Sequence, residues 1–236
     1  LVVGIIFKRG GSFRAYFANK NTIMKPILFF VFCVGMLLPG CAQSPVREEF
    51  PTLQKKVGGP CEGCEAIYEY GNGALHTADT LPDFSEAGPK LKISGTIYQK
   101  DGKTPAKEVI LYIYHTNQQG VYPTKGDETG WGRRHGYLRG WVKTGADGRY
   151  AFYTLRPAAY PNSSNPQHIH ATVKEPDKNE YWLDEFEFED DPFLTAKQRS
   201  SRLNRGGSGI AKTVKSGEVQ IIKRDIILGK NIPDYK

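Results

Sequence analysis

The sequence predicts an all-β protein, a β-sandwich of about seven to eight short strands joined by long loops. Two observations lead there. From residue 91 onward, apolar runs of seven to ten residues alternate with Gly, Pro, Asn and Asp clusters, and no stretch of any length shows the 3.6-residue apolar period of an amphipathic helix.

The runs can be taken in order. Residues 91–99 read as a strand, and Lys100, Asp101, Gly102 and Lys103 as the turn that ends it. Residues 108–116 form a strand that is apolar on both faces. Residues 137–144 and 149–155 are expected to pair as a hairpin across Ala146, Asp147 and Gly148; strands at 167–174, 181–188 and 219–228 follow. There is no internal repeat and no low-complexity tract.

The first forty residues are different. They hold five basic residues and no acidic one, and from Met24 they run as Met-Lys, then thirteen mostly apolar residues to Leu38, then Pro39, Gly40 and Cys41. A short basic stretch followed by an apolar segment too short to span a bilayer comfortably reads as a signal peptide. The end of that segment resembles a bacterial lipobox, which implies lipidation of Cys41 and a chain exported and lipid-anchored to the bacterial cell envelope. On this reading Met24 is the initiator; an upstream extension with an uncleaved membrane anchor is the other reading. The expected organisation is therefore 1–40 upstream extension and signal, 41–90 tether and irregular lead-in, and 91–236 sandwich.

Charge supports the same division. The chain has 32 Lys and Arg against 25 Asp and Glu, and removing the five basic residues of the leader leaves 27 against 25. The excess of positive charge is mostly targeting sequence, so composition makes no case for nucleic acid. The basic run 197–205 reads as solvated surface. The acidic run Glu185, Glu187, Glu189, Asp190 and Asp191 alternates with Phe186 and Phe188, which suggests an exposed strand face rather than a calcium site. Cys61 and Cys64 form a C-x-x-C that, outside the cytoplasm, can be a local disulfide, a pair of thiols or half of a metal site, with the disulfide favoured.

The chemistry concentrates in residues 147–174, DGRYAFYTLRPAAYPNSSNPQHIHATVK. On a strand, His168 and His170 point to one face and Ile169 and Ala171 to the other, so two imidazoles can meet one ion. Tyr160 lies eight residues upstream, across an Asn, Ser and Pro loop able to fold back and bring a phenol to the same place. His76, His115 and His135 read as structural.

This stretch, with EVILYIYHTNQQGVYP at 108–123, resembles the iron-site signature of the intradiol ring-cleavage dioxygenases, from about Val57 to about Pro192. With only some fifty residues between Cys41 and the first strand, and none of them helical in pattern, the architecture looks like the protocatechuate-type subunits. The resemblance implies a β-sandwich, a non-haem Fe(III) held by Tyr122, Tyr160, His168 and His170, and cleavage of a catechol-type aromatic by dioxygen to a cis,cis-muconate-type dicarboxylate. It implies Tyr160 and His168 as the axial pair, with Tyr160 displaced by substrate, and Tyr122 and His170 as the equatorial pair. A homo-oligomer fits the family as well.

One departure stands out. The family's Arg-Pro-Ala-His-Ile-His is here Asn165-Pro166-Gln167-His168-Ile169-His170. An amide is a weaker electrostatic partner than a guanidinium, so Asn165 is a candidate catalytic residue of altered strength, with Arg133, Arg134 and Arg139 as candidate replacements. The reading from another class is a non-catalytic β-sandwich that binds iron or catechols. A zinc site is disfavoured, because two tyrosinates suit zinc less well than Cys, His or carboxylate.

Overall fold

A computed structural model describes residues 56–236. The signal peptide, Met24 and Cys41 lie outside the described residues.

Eleven strands build two sheets. They are β1 (Ala78–Thr80), β2 (Lys90–Tyr98), β3 (Ile110–Tyr114), β4 (Arg139–Lys143), β5 (Arg149–Leu155), β6 (His168–Lys174), β7 (Tyr181–Phe188), β8 (Ile210–Ala211), β9 (Val214–Ser216), β10 (Val219–Lys223) and β11 (Ile226–Ile227). One sheet has the order β1-β5-β2-β10-β9, with β11 also beside β2; the other has β4-β3-β6-β7-β8. Their inner faces meet in one apolar core: Leu91, Ile93, Tyr150 and Phe152 from the first sheet pack with Leu111, Ile113, Ile169, Val173 and Phe186 from the second. This is the expected sandwich, because each strand buries one side of a period-two pattern.

Strand β3 is buried on both sides for a physical reason. Leu111 and Ile113 face the main core, while Tyr112 lies under Ala66 and Ile67 in a second small cluster edged by Tyr114, Trp131 and Trp141. Ala66 and Ile67 belong to a 3-10 turn, Cys64–Tyr68, which the Cys61–Cys64 disulfide precedes and joins. Residues 57–90, expected as an irregular lead-in, thus carry short turns and edge strand β1, and they are packed, with Val57 and Leu81 in the main core.

The expected hairpin across Ala146, Asp147 and Gly148 does not form. The turn is there, but β4 pairs with β3 and β5 with β2, so the chain crosses from one sheet to the other. Period two identifies a strand but not its partner, and Ile97 donates its N–H to the Gly148 carbonyl at 2.8 Å, tying the turn to β2. Residues 219–228, expected as one strand, are β10 and β11 in a common register along β2, interrupted at Arg224 and Asp225. There the Asp225 carboxylate accepts the Thr96 N–H at 2.9 Å. The short edge strands β1, β8 and β9 have too few residues to show a period.

The interruption at Arg224 depends on Gly95. A Cβ at residue 95 would stand 1.8 Å from the Arg224 carbonyl oxygen, which also accepts the Tyr150 hydroxyl at 2.7 Å. Gly95→Ala should therefore force the strands apart and cost about 2 kcal/mol or more. For a domain of this size we expect Tm to fall by about 4–8 °C in a calorimetric scan; an unchanged Tm would show that the two strands separate freely.

Candidate functional site

Strand β6 presents its polar face away from the main core. Ile169, Ala171 and Val173 are buried in the sandwich, and His168 and His170 share the outer face. Opposite them β7 carries a bulge: Ile169 pairs with Phe186 and Ala171 with Leu183, so the single residue His170 faces both Asp184 and Glu185. The extra residue divides the two acids. Asp184 is buried and accepts the backbone N–H groups of Asn204 and Arg205, while Glu185 turns to the outer face, with Oε1 3.7 Å from His170 Nδ1.

Two loops bring the tyrosines. Asn117 accepts the Ala158 N–H at 3.2 Å and Thr116 Oγ1 donates to the Ala158 carbonyl at 2.7 Å, which holds the Tyr160 loop against the Tyr122 loop. Gly120, at φ +72°, makes the approach possible, since a Cβ there would be 2.1 Å from the Ala159 oxygen.

The four side chains singled out from sequence meet at one point. Tyr122 Oη is 2.8 Å from His170 Nε2, Tyr160 Oη is 3.2 Å from His168 Nε2 and 3.4 Å from His170 Nε2, and the two phenol oxygens touch each other. His168 Nδ1 donates to the Pro166 carbonyl at 2.7 Å, because that carbonyl can only accept; its Nε2 lone pair is left facing Tyr160. Donors that share an ion at bond lengths of about 2 Å stand about 2.8–3.3 Å apart. The Tyr122–His170 and Tyr160–His168 pairs have that spacing, the Tyr160–His170 pair is slightly wider and the two phenol oxygens stand closer.

Electrostatics agree with a role for a cation. Burial pushes the Tyr122 and Tyr160 phenols above the ordinary tyrosine value, and burial, then neighbouring His168, pulls His170 down to about 3. Left to themselves, the groups are two neutral phenols and a neutral imidazole. Only a bound cation would displace the phenolic protons near neutral pH. Among the described residues no group of three or more His, Cys, Asp and Glu gathers as a cation site; the convergence here is of two imidazoles and two phenols.

Sequence reasoning missed the support. Tyr114 on β3 lies directly opposite His170 and stacks on it at 4.4 Å, and His135 stacks behind Tyr114 at 3.8 Å with Nδ1 2.8 Å from Tyr112 Oη. Burial lowers His135 to about 4, so it stays neutral there. His115 lies apart, bridging Thr116 O and Thr154 Oγ1 as a structural bracket.

A cleft of about 300 Å3 opens onto Tyr160, His168 and His170, lined also by Asn165, Glu185, Glu187 and Arg202. None of the three expected arginines reaches it. Arg133 bonds the Glu128 carbonyl, Arg134 pairs with Glu62, and Arg139 pairs with Glu69. Two further expectations are corrected here. The acidic run is exposed only in part: Glu189 and Asp190 are exposed and Glu185 half-buried, while Glu187 and Asp191 are buried with Phe186 and Phe188. The basic run 197–205 is not simply solvated, since Arg205 is buried over Trp182 and Arg202 pairs with Glu187.

Residues 67–206 match the model of a family described as dioxygenase. The chain is 35% identical over 132 residues to catechol 1,2-dioxygenase 1 of Acinetobacter lwoffii, covering 49% of this chain and 40% of that protein. It is 28% identical over 103 residues to the protocatechuate 3,4-dioxygenase beta chain of Burkholderia cepacia, covering 41% and 43%. The chain thus spans less than half the length of these curated relatives. Among solved structures, 3-chlorocatechol 1,2-dioxygenase of Rhodococcus opacus 1CP shares the fold, with a TM-score of 0.50 at 19% identity over 67% of this chain and 68% of that one. The matched segment contains Tyr122, Tyr160, His168 and His170 together with Glu185 and Arg202, and by that match over more than half its length the chain belongs to the intradiol dioxygenase family.

Proposed function

We propose that this chain binds non-haem Fe(III) through Tyr122, Tyr160, His168 and His170 and cleaves a catechol-type aromatic with dioxygen to a cis,cis-muconate-type dicarboxylate. The observation that carries the proposal is the convergence of two phenol oxygens and two imidazole nitrogens on one point at the head of a cleft. Bound there, ferric iron supplies a hard Lewis acid, matched to phenolate oxygen, that makes a chelating diol reactive toward dioxygen. The protein's residues do the rest. His168, fixed by Pro166, presents one nitrogen only; Tyr114 holds the plane of His170; Tyr160, in reach of both histidines, would give up its phenolic proton to solvent on binding the ion and, as phenolate, is placed to take one from an incoming hydroxyl. A cleft of about 300 Å3 is at the lower end of small-molecule sites, which suits a single ring.

Asn165 at the mouth is exposed and offers only an amide. In its place we assign the cation of the site to Arg202, which lines the same cleft. Arg202 is held by two bonds to buried Glu187, so its guanidinium is fixed toward the substrate space at no further entropic cost. The relatives named for catechol and for protocatechuate both support a dihydroxylated aromatic as substrate. An exported, lipid-anchored protein remains part of the proposal, resting on residues 24–41 and on the Cys61–Cys64 disulfide, which suits an oxidising compartment.

The protein from residue 42 onward, loaded with Fe(III), should show a tyrosinate-to-iron absorption band that shifts with catechol and decays under air as dioxygen is consumed and muconate appears. A shifted band with no oxygen uptake would mean capture without turnover. Tyr122→Phe should lower iron content and bleach the band; unchanged metal and colour would remove Tyr122 from the ligand set. Arg202→Gln should lower kcat by about a hundredfold with a small change in KM, measured per folded, iron-loaded molecule because Glu187 loses its partner, whereas Arg133→Gln should leave both constants as they were. In cells, Cys41→Ser should move the full chain from the detergent-extracted membrane fraction to the soluble one, as read by fractionation and immunoblot.

A further inference from the structure

Three charged side chains line the cleft: Glu185, Glu187 and Arg202. Two of them cancel. Arg202 Nε donates to Glu187 Oε2 at 2.6 Å, and a second guanidinium nitrogen bonds the other oxygen. In the adjoining cleft, formed by Pro60, Cys61, Gly63 and Trp182, the carboxylate of Glu62 is paired with Arg134. Glu185 lines both clefts, and its close charged-type contact is the imidazole of His170 at 3.7 Å. Among the described residues no Lys or Arg forms an ion pair with it. With Glu185 and Glu187 against Arg202, which both carboxylates attract, the charged side chains of the wall that meets the ring sum to minus one.

We infer that this cleft selects catechols whose ring substituent is neutral or bears an ammonium group, and rejects carboxylated ones, with Glu185 as the residue that sets the preference. The inference rests on the catechol reading above. A diol anchored at the four donors directs the rest of its ring into the cleft that Glu185 lines, within a few bonds of that carboxylate. Attraction of one sign and repulsion of the other at such a distance, each reduced for a side chain that is partly exposed, together separate the two kinds of substituent by about tenfold in affinity. Strand register places the charge: Phe186 pairs with inward-facing Ile169, so Glu185 beside it stands across from His170 on the outer face, and the bulge is taken up at buried Asp184.

The test is made without oxygen on the iron-loaded protein, and reads binding from the shift of the tyrosinate-to-iron band instead of turnover. Three probes are titrated at low ionic strength: 4-(2-aminoethyl)catechol, 4-methylcatechol and 3,4-dihydroxybenzoate. We expect the ammonium compound to bind about tenfold more tightly than the carboxylate. That gap should close in Glu185→Gln, a comparison that cancels intrinsic differences in chelating strength, and should narrow in the unaltered protein as salt is raised. The salt series stands alone if the variant does not load iron. Equal affinities in the unaltered protein, or a gap that neither the variant nor salt changes, would overturn the charge selection while leaving catechol binding intact. A band that none of the three shifts would overturn the catechol reading and this inference with it.

Discussion

The site depends on one strand that must face two ways. If β6 slipped by one residue, Ile169 and Ala171 would stand in the polar cleft and His168 and His170 in the apolar core, a cost no single contact could offset. Burial of Ile169 and Val173 against Leu111 and Phe152 therefore fixes the direction of both imidazoles. The same register sets Tyr114 across from His170, so packing energy in the sandwich becomes positional precision at the donor atoms.

The tyrosines come from loops, which are softer, and their placement needs separate reasons. Gly120 allows close backbone approach, and the bonds from Thr116 and Asn117 to Ala158 clamp the second loop on the first. Behind the histidines, Tyr114, His135 and Tyr112 form a stacked and hydrogen-bonded backing that stays neutral near pH 7, because burial raises the phenols and lowers the imidazole. A neutral wall leaves the charge balance of the site to the donors and to the cleft.

What was legible in the sequence follows from period and spacing. β5 and β7 have the expected bounds because both are long, strongly apolar on one face and closed by Gly or Pro signals. His168 and His170 were readable because period two relates them locally, and Tyr122 because its motif resembles a known one. Partner choice was not readable. The turn at Asp147 and Gly148 looks the same whether it joins strands in one sheet or carries the chain between two, and what decides it is the long-range pairing of β4 with β3 and of β5 with β2. Tyr114, Glu185 and Arg202 were missed for the same reason. Their nearness to His170 or to the cleft depends on which strands pair and in what register, and on a return of the chain at residue 202, none of which leaves a local pattern.

The clearest consequence of that non-local geometry is where charge resides. Asn165, just before the histidines, sits on an exposed loop, where any charge would be screened by water. Arg202 enters from the far side, and its carboxylate partner Glu187 is buried on β7 beside the bulge. A guanidinium tied to a buried carboxylate keeps its position but contributes little net charge, because the pair is neutral at distance and polar only close by. The cleft thus combines a directed local donor, Arg202, with a net negative wall, Glu185. Such a wall requires no residue to move and no charge to be fully buried, since Glu185 keeps partial access to water while lying one imidazole away from the point where the four donors meet.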